Sequence, residues 1–328
     1  MRRLRLTILA VASSSIFLAG CSSEEPEPQA EPTETVTPTP EPELWPFTGL
    51  EREGKAPKHP VMVVKIDNTS GSAPQVGLSQ ADMVVEELVE GGYTRLATFF
   101  YSQIPETVGP VRSMRASDIG IVPPGGVVVT SGAAQVTLDR VSKAGIPWVT
   151  EGDEGVFRES SRYAPYNLFA TLTTIAKGQK AEEEPDLYLP FGDPADLPKG
   201  VRAKTLTADF GNHVTSWTFS GGTYDNSNSY AAEGDHFVPD SVLVMRVDVK
   251  DAGYRDPSGA FVPESVFEGT NDAVLFHDGR AVRGAWTKDG LTGRIRLATK
   301  SGEDLVVPAG KVWIELVPTE TGNVTWTK

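Results

Sequence analysis

The stretch MVVEELVEGGYTRLATFFY, residues 83–101, decides the fold of this chain. Two runs rich in Val, Thr, Tyr and Phe flank Gly91 and Gly92, and such runs favour extended strands. Adjacent glycines adopt the positive φ angles that a tight connection between antiparallel strands requires. The stretch therefore predicts a β-hairpin with strands at residues 83–90 and 93–101.

Strand and helix patterns alternate on both sides of this hairpin. The predicted strands are residues 61–66, 127–130 and 147–150, and the predicted helices are residues 112–122, 133–144 and 168–177. Alternation of this kind is typical of a sheet covered by helices. It predicts a layered α/β domain of sheet and helix over residues 57–180.

Beyond residue 180 the helical patterns disappear. Residues 181–203 are rich in proline and acidic residues and are predicted to be a linker. Short β-rich runs separated by Gly, Asn and Asp turns follow at residues 213–219, 241–249, 273–276, 281–286, 294–298 and 311–317. A smaller β-rich domain is therefore predicted at residues 204–318, which makes the whole chain a mixed α+β protein.

The N-terminus carries a lipoprotein signal. Three arginines within the first five residues precede an apolar run at residues 6–17, and the stretch LAGC follows at residues 18–21. The apolar run is too short to be a transmembrane helix. The pattern predicts a signal peptide over residues 1–20 and acylation of Cys21, for example with palmitate. The acyl chains would anchor the protein in the lipid bilayer, on the extracytoplasmic face of the cell membrane.

A segment rich in proline and glutamate follows the cysteine. Residues 22–44 contain no basic residue, and a stretch of this composition cannot bury a core. We expect residues 21–44 to form an extended tether between the lipid anchor and the folded part of the chain.

The chain is acidic and holds a single cysteine. Its formal net charge is −14 at pH 7, which argues against nucleic acid as a partner, because a phosphate backbone requires a cationic face. An acylated Cys21 leaves no thiol for a disulfide, a cysteine-based metal site or a catalytic nucleophile. No cofactor and no metal site are predicted.

Arginines and polar residues are dense between residues 67 and 115. Arg112 and Arg115 share one face of the predicted helix, and guanidinium groups near a helix N-terminus receive carboxylate or phosphate. Together with Arg95, they predict an anion-binding site whose residues are Asp67, Asn68, Gln75, Glu86, Glu87, Arg95, Arg112, Ser113 and Arg115. An alternative stays open, in which the arginines pair internally with Asp82, Glu86 or Glu87 and only hold the strands together.

Several of these residues belong to longer motifs. A strand that ends in Asp67-Asn68 is followed by PQVGL at residues 74–78, EGGYTR at residues 90–95 and GPVRSMR at residues 109–115. With these motifs the chain resembles the YerB-like bacterial lipoproteins over roughly residues 57–318. The resemblance implies an α/β N-terminal domain, a smaller β-rich C-terminal domain and a location in the cell envelope. The family is a domain of unknown function, so the resemblance implies no activity.

The chain departs from the family pattern at two places. Ser72-Ala73 stands where the family often has Ala-Arg, and Tyr166 stands where it often has histidine. The second departure argues against a histidine acid/base role at position 166.

Two further patterns carry weaker signals. His236 lies among loop carboxylates, which suits a cation or proton transfer, but loop acids are usually only solvated. Tryptophans on or near the predicted strands are explained by core packing, with a sugar-binding face as the alternative.

Three functions are compatible with these observations. The first is a non-catalytic accessory lipoprotein that binds a cell-wall component or a cell-wall-synthesis protein through its N-terminal domain. It is favoured because the sequence contains no GxSxG, HExxH or SxxK motif. The second is an enzyme acting on wall polymer, with Asp67, Glu86 or Glu87 as acid and base beside the arginines. The third is a solute-binding lipoprotein, although such receptors have two similar α/β lobes.

Overall fold

The hairpin predicted from residues 83–101 forms the centre of the fold. The structure is a computed structural model that describes residues 42–328. Strand β2 (Met83–Leu88) runs antiparallel to strand β3 (Thr94–Phe100), and a 3-10 turn connects them. Both glycines of this turn have positive φ angles, which confirms the prediction.

The remaining elements of residues 42–328 are mostly strands. They are β1 (Met62–Asp67), β4 (Thr107–Val108), β5 (Val127–Val129), β6 (Trp148–Val149), β7 (Val156–Arg158), β8 (Leu168–Thr171), β9 (Phe191–Gly192), β10 (Val201–Arg202), β11 (Thr205–Asp209), β12 (Val214–Ser220), β13 (Thr223–Asn226), β14 (Ser241–Arg255), β15 (Phe261–Val266), β16 (Gly269–His277), β17 (Arg280–Lys288), β18 (Ile295–Thr299), β19 (Val307–Pro308), β20 (Val312–Pro318) and β21 (Asn323–Thr327). The helices are α1 (Asp118–Ile121), α2 (Gln135–Lys143) and α3 (Leu172–Gly178), and the 3-10 turns are Ser70–Ser72, Leu78–Gln80, Glu90–Gly92 and Pro194–Asp196.

One mixed sheet of twelve strands passes through both halves of the chain. Its order is β10-β17-β16-β14-β20-β2-β3-β1-β5-β6, with β15 beside β14 and β18 beside β17. Strand β20 lies parallel to β2 on one side and parallel to β14 on the other. The hairpin therefore joins the two halves into one sheet. Smaller sheets have the orders β13-β12-β11-β21, β4-β8-β7 and β19-β9.

The central strands are covered on both faces. Strands β1, β2 and β3 are buried along their whole length, which is typical of a sheet with layers on either side. Val84 and Leu96 share a hydrophobic cluster with Trp217 on one face, and Val85 shares the cluster of the opposite face with Phe47. Neighbouring residues of a strand point to opposite faces, so each face of β2 has its own surroundings.

The structure contains more strand and less helix than the sequence predicts. Within residues 42–328, strand makes up 41% and helix 11%, so the layered α/β arrangement expected for the first half is not clearly present, although mixed sheets are. The second half is rich in β-structure as expected. Each of its six predicted strand segments overlaps one of β12, β14, β16, β17, β18 and β20.

The predicted helix at residues 112–122 is wrong over its first half. Only α1 is helical; residues 112–115 have no regular secondary structure, and residues 116 and 117 form a turn. The backbone N–H of Arg112 donates to the Lys65 carbonyl, and Val111 forms a bridge with Ile66. This segment therefore lies beside the end of β1, where pairing with a strand satisfies the backbone groups that a helix would pair internally.

The other two predicted helices have different outcomes. The helix at residues 133–144 is confirmed as α2. The helix at residues 168–177 begins late, because its first four residues form β8 and pair with β7, and only α3 is helical.

The segment at residues 181–203, predicted to be a linker, packs against the rest of the fold. The Tyr188 N–H donates to the Pro46 carbonyl, β9 pairs with β19, and β10 pairs with β17. The division into domains at residues 57–180 and 204–318 stays a prediction, and the twelve-stranded sheet contains strands from both segments.

The signal peptide, Cys21 and nearly all of the tether lie outside the described residues. From residue 42 onward, no helix combines the length and apolar character needed to cross a membrane.

Candidate functional site

A cleft of ≈ 1070 Å³ opens where β1 ends and the hairpin turns. Because β3 runs antiparallel to both β1 and β2, the last residues of those strands and the first residues of β3 meet at one edge. The predicted site residues that line the cleft are Asp67, Asn68, Arg95, Arg112, Ser113 and Arg115, and Tyr166 and His213 line it as well.

Arg112 forms an ion pair with Asp67 at the cleft wall. Arg112 Nη1 lies 3.1 Å from Asp67 Oδ2, in a contact without hydrogen-bond geometry. The Arg112 guanidinium also lies 5.3 Å from the centre of the Tyr166 ring, within range of a cation–π contact. Asp67 Oδ1 accepts a hydrogen bond from the Thr69 N–H at 3.0 Å. One carboxylate thus balances the charge of Arg112.

Arg115 is paired with Glu90, the first residue of the hairpin turn. Arg115 Nε and Nη2 donate to Glu90 Oε2 at 3.0 and 2.7 Å. The Arg115 backbone N–H donates to Asp118 Oδ2 at 2.7 Å. Arg112 and Arg115 precede α1, on an irregular segment that starts beside the end of β1, so the shared helix face predicted for them is wrong.

Arg95 lies near both ion pairs and has no acidic partner in residues 42–328. The residue is 6% exposed, its Nη1 donates to the Ser113 carbonyl at 2.9 Å, and its Nε has no hydrogen-bond partner in this part of the chain. Burial and the positive charges of Arg115 and Arg112 lower the pKa of Arg95 to about 9. The guanidinium is therefore protonated at neutral pH, and it is a buried, uncompensated positive charge at the cleft wall.

Glu86 and Glu87 are neighbours in β2, so they point to opposite faces of the sheet, and neither lines the cleft. Lys65 Nζ lies 2.5 Å from Glu87 Oε1 and 2.8 Å from Asp118 Oδ1. Burial lowers the pKa of Lys65, but the two carboxylates outweigh burial and raise the pKa overall. This buried cluster ties β1, β2 and α1 together.

On the other face, Glu86 is surrounded by donors. It accepts hydrogen bonds from Asn68 Nδ2 at 3.0 Å and Thr215 Oγ1 at 2.9 Å, and it lies 3.1 Å from His213 Nε2. Burial raises the pKa of Glu86, but His213, Thr94 and Glu315 together lower it by more, and the net pKa is lowered. Burial lowers the pKa of His213, but Glu86 raises it by more.

Glu315 of β20 lies beside Glu86 in register on the adjacent parallel strand. Glu315 Oε1 accepts a hydrogen bond from Trp217 Nε1 at 2.8 Å, while its Oε2 has no partner among the described residues. Burial and the negative charge of Glu86 raise the pKa of Glu315 well above its ordinary value. The opposite shifts of the two pKa values favour Glu315 as the carboxyl group of the pair that holds a proton and Glu86 as the ionised one.

Gln75 is buried behind the cleft wall. Its Nε2 donates to the Asp67 carbonyl at 2.7 Å and to Asn68 Oδ1 at 3.3 Å, which orients both residues. Three predicted site residues, Gln75, Glu86 and Glu87, do not line the cleft; Gln75 and Glu86 hold residues that do, and Glu87 belongs to the separate cluster with Lys65.

The internal pairing that the sequence left open occurs for two of the three arginines. Their partners are Asp67 and Glu90, and the predicted partners Asp82, Glu86 and Glu87 are engaged elsewhere. Asp82, for example, accepts hydrogen bonds from the N–H groups of residues 101 and 102.

Sequence reasoning missed His213 and Glu315 as parts of this site. His213 is 145 residues from Asn68, so no local spacing links them. Glu90 was missed as the partner of Arg115, although it begins the EGGYTR motif and a signal for it was therefore present.

The tryptophans and the potential metal ligands were the other candidates that the sequence offered. Trp217, Trp286 and Trp313 are buried, which confirms the core-packing interpretation for these three. Within residues 42–328, no three or more His, Cys, Asp and Glu side chains are grouped so as to hold a metal ion.

Family models match most of the chain. The model described as "Protein of unknown function (DUF3048) N-terminal domain" matches residues 47–185, and the corresponding C-terminal domain matches residues 206–314. The chain belongs to the DUF3048 family. This assignment confirms the resemblance drawn from the motifs, and the DUF3048 description states no activity.

The chain is also similar to a bacterial lipoprotein sequence and to a solved structure. The chain is 27% identical to "Putative lipoprotein YerB" of Bacillus subtilis (strain 168) over 299 residues, which is 83% of this chain and 86% of that protein. The crystal structure of YerB from Bacillus subtilis matches with a TM-score of 0.72 at 23% identity, and the match covers 86% of this chain and 99% of that one. The structural likeness shows a common fold.

Proposed function

We propose that this chain is a lipoprotein of the extracytoplasmic face of the cell membrane, anchored by an acylated Cys21, that binds an anionic partner in the cleft without catalysing a reaction. The lipoprotein signal at residues 18–21 and the name of the Bacillus relative support the membrane anchor. The partner that we propose is an acidic cell-wall component or an acidic segment of a cell-wall-synthesis protein.

The unpaired charge of Arg95 carries this proposal. Burying a charged group without a partner costs several kcal/mol of folding free energy. Asp67 and Glu90 balance Arg112 and Arg115, so Arg95 leaves an excess positive charge at the wall. A ligand carboxylate or phosphate supplies the missing charge and matches the geometry of a guanidinium.

The enzyme alternative receives less support from the arrangement of the carboxylates. Glycoside hydrolysis by two carboxyl groups requires that both face the same bond, about 5–9.5 Å apart. Glu86 and Glu87 lie on opposite faces of the sheet and outside the cleft wall, and Asp67 is held by Arg112. A solute receptor built from two similar lobes also receives less support, because residues 42–328 form one compact unit.

Cosedimentation with purified peptidoglycan tests the proposal. The protein used is residues 22–328, which contain the whole compact unit. We expect the wild type to sediment with peptidoglycan and Arg95→Met to bind at least about tenfold more weakly, because one charge-assisted contact is worth about 1.5–3 kcal/mol. The matched control is Arg296→Met, which removes an exposed arginine outside the cleft and leaves binding unchanged.

Two outcomes overturn parts of the proposal. A wild type that stays in solution overturns the wall component as the ligand. Equal binding by wild type and Arg95→Met overturns the cleft as the binding site.

A further inference from the structure

We infer that the cleft binds a proton together with its anion, and that His213 holds this proton. The inference rests on the proposed function, because it concerns the ligand of the same cleft.

His213 connects the cleft to the buried carboxyl groups. Its residue surface is 8% exposed and forms part of the cleft wall. Its Nε2 lies 3.1 Å from Glu86 Oε1 and 3.3 Å from both Asn68 Nδ2 and Thr215 Oγ1. Glu86 thus stabilises a proton on His213 from behind. Because the ring is part of the cleft wall, an anion bound in the cleft also interacts electrostatically with that proton.

The charged groups around His213 lie on two sides. Glu86 on β2 and Glu315 on β20 lie behind the ring. The cleft in front is lined by Arg95, by the pairs Arg112–Asp67 and Arg115–Glu90, and by Arg255 and Asp256. Glu86 and Glu315 lie side by side away from water, so they disfavour a second negative charge, and their opposite pKa shifts favour the proton on Glu315.

The charge of this cluster therefore depends on one proton. With one proton held by the Glu86–Glu315 pair, the cluster of His213, Glu86 and Glu315 is neutral when His213 is protonated and carries one negative charge when it is not. Since Glu86 raises the pKa of His213, the protonated form persists to higher pH than for an exposed histidine. When the proton leaves, the buried negative charge repels an anion at the cleft wall.

Linkage makes the effect reciprocal. If a proton on His213 strengthens anion binding by a certain factor, the anion strengthens proton binding by the same factor. We expect at least about a fivefold effect, the lower end of typical coupling between sites.

Sulfate is the probe for this inference, because it keeps two negative charges from pH 5 to 9 and adds no titration of its own. We expect the dissociation constant of sulfate to rise at least about fivefold as pH rises through the pKa of His213. Histidine NMR signals of residues 22–328 report that pKa directly, and we expect it to be higher in saturating sulfate.

Variants assign the effect to His213. His213→Asn keeps a neutral hydrogen-bonding side chain beside Glu86, and we expect it to remove the pH dependence of sulfate binding. The matched control is His59→Asn, whose ring lies 5.9 Å from that of Tyr101 at the other end of β3, and it keeps the pH dependence. Should His213→Asn not fold, Glu86→Gln replaces it, and we expect a lower His213 pKa and a pH dependence moved to lower pH.

The outcomes separate this inference from the proposed function. Sulfate binding that requires Arg95 but is equal at pH 5.5 and 8.5, or a pH dependence that persists in His213→Asn, overturns the proton coupling and leaves the anion site intact. Absence of sulfate binding at every pH overturns the anion site and the coupling together.

Discussion

Glu86 of β2 and Glu315 of β20 lie side by side in register on parallel strands, and both are fully buried. These strands come from different halves of the chain, so the pair sits on the seam of the twelve-stranded sheet. Two adjacent carboxyl groups away from water cannot both ionise at neutral pH without strong repulsion. The seam is therefore sensitive to pH and to substitution at either position.

Glu315→Gln is expected to stabilise the protein at alkaline pH. Burial and Glu86 raise the pKa of Glu315 above its ordinary value of 4.5, so between the two values the unfolded chain loses this proton and the folded chain keeps it. The stability of the wild type therefore falls as pH rises above the unfolded value, and the amide escapes this loss. We expect a gain of about 1–3 kcal/mol at pH 8 and none at pH 4 in urea denaturation. An equal gain at both pH values would contradict the assignment.

Arg95→Met is expected to stabilise the folded protein in buffer without multivalent anions. The substitution removes a buried charge that has no acidic partner in residues 42–328 and replaces it with an apolar side chain of similar length. We expect a gain of about 1–3 kcal/mol by urea denaturation. Arg115→Met is the comparison, and it is expected to destabilise because Glu90 then loses its partner. Destabilisation by Arg95→Met would argue that the charge is compensated in the folded state.

Lys65→Met is expected to destabilise strongly. Lys65 is fully buried between Glu87 and Asp118, and its removal leaves two buried carboxyl groups without a cation. We expect a loss of about 3–5 kcal/mol in the free energy of unfolding. The control Lys250→Met removes a half-exposed partner of Glu264 and is expected to cost less than about 1 kcal/mol. Similar losses of unfolding free energy for the two variants would contradict a larger contribution of the buried Lys65 cluster to stability.

Cys21→Ser is expected to release the protein from membranes. Cys21 is the chain's only thiol, so labelled palmitate has no alternative cysteine in the variant. We expect the wild type in the membrane fraction with label incorporated, and the variant in the soluble fraction without it. Mass spectrometry of the wild type that finds an unmodified cysteine would refute the anchor.

Local features of the fold were predictable from the sequence. The hairpin follows from paired glycines between β-rich runs, and α2 follows from an amphipathic repeat. Both patterns act within fewer than twenty residues. The helix predicted at residues 112–122 does not form over its first residues, because their backbone pairs with the end of β1, more than forty residues earlier in the sequence. Tertiary pairing of this kind overrides local propensity.

The site was predictable only in part for the same reason. Motif density identified Arg95, Arg112 and Arg115, and the structure brings all three to one cleft. The acidic partners of these arginines depend on which strand ends lie side by side in the fold. His213 contacts Asn68 although 145 residues separate the two in the sequence. Alternation along β2 separates Glu86 from Glu87, although adjacent acids in a sequence suggest a pair.

The described chain begins at the end of β3 that lies farthest from the cleft. Trp45 contacts Tyr101 with ring centres 6.0 Å apart, and Phe47 contacts Phe99 at 5.4 Å, whereas Arg95 is at the other end of the same strand. At about 3.4 Å per residue, roughly 20 Å of sheet separates the two ends. Attachment to a sensor chip or bead through the N-terminal segment would therefore leave the mouth of the cleft open to solution, which makes immobilised protein a suitable format for screening anion libraries.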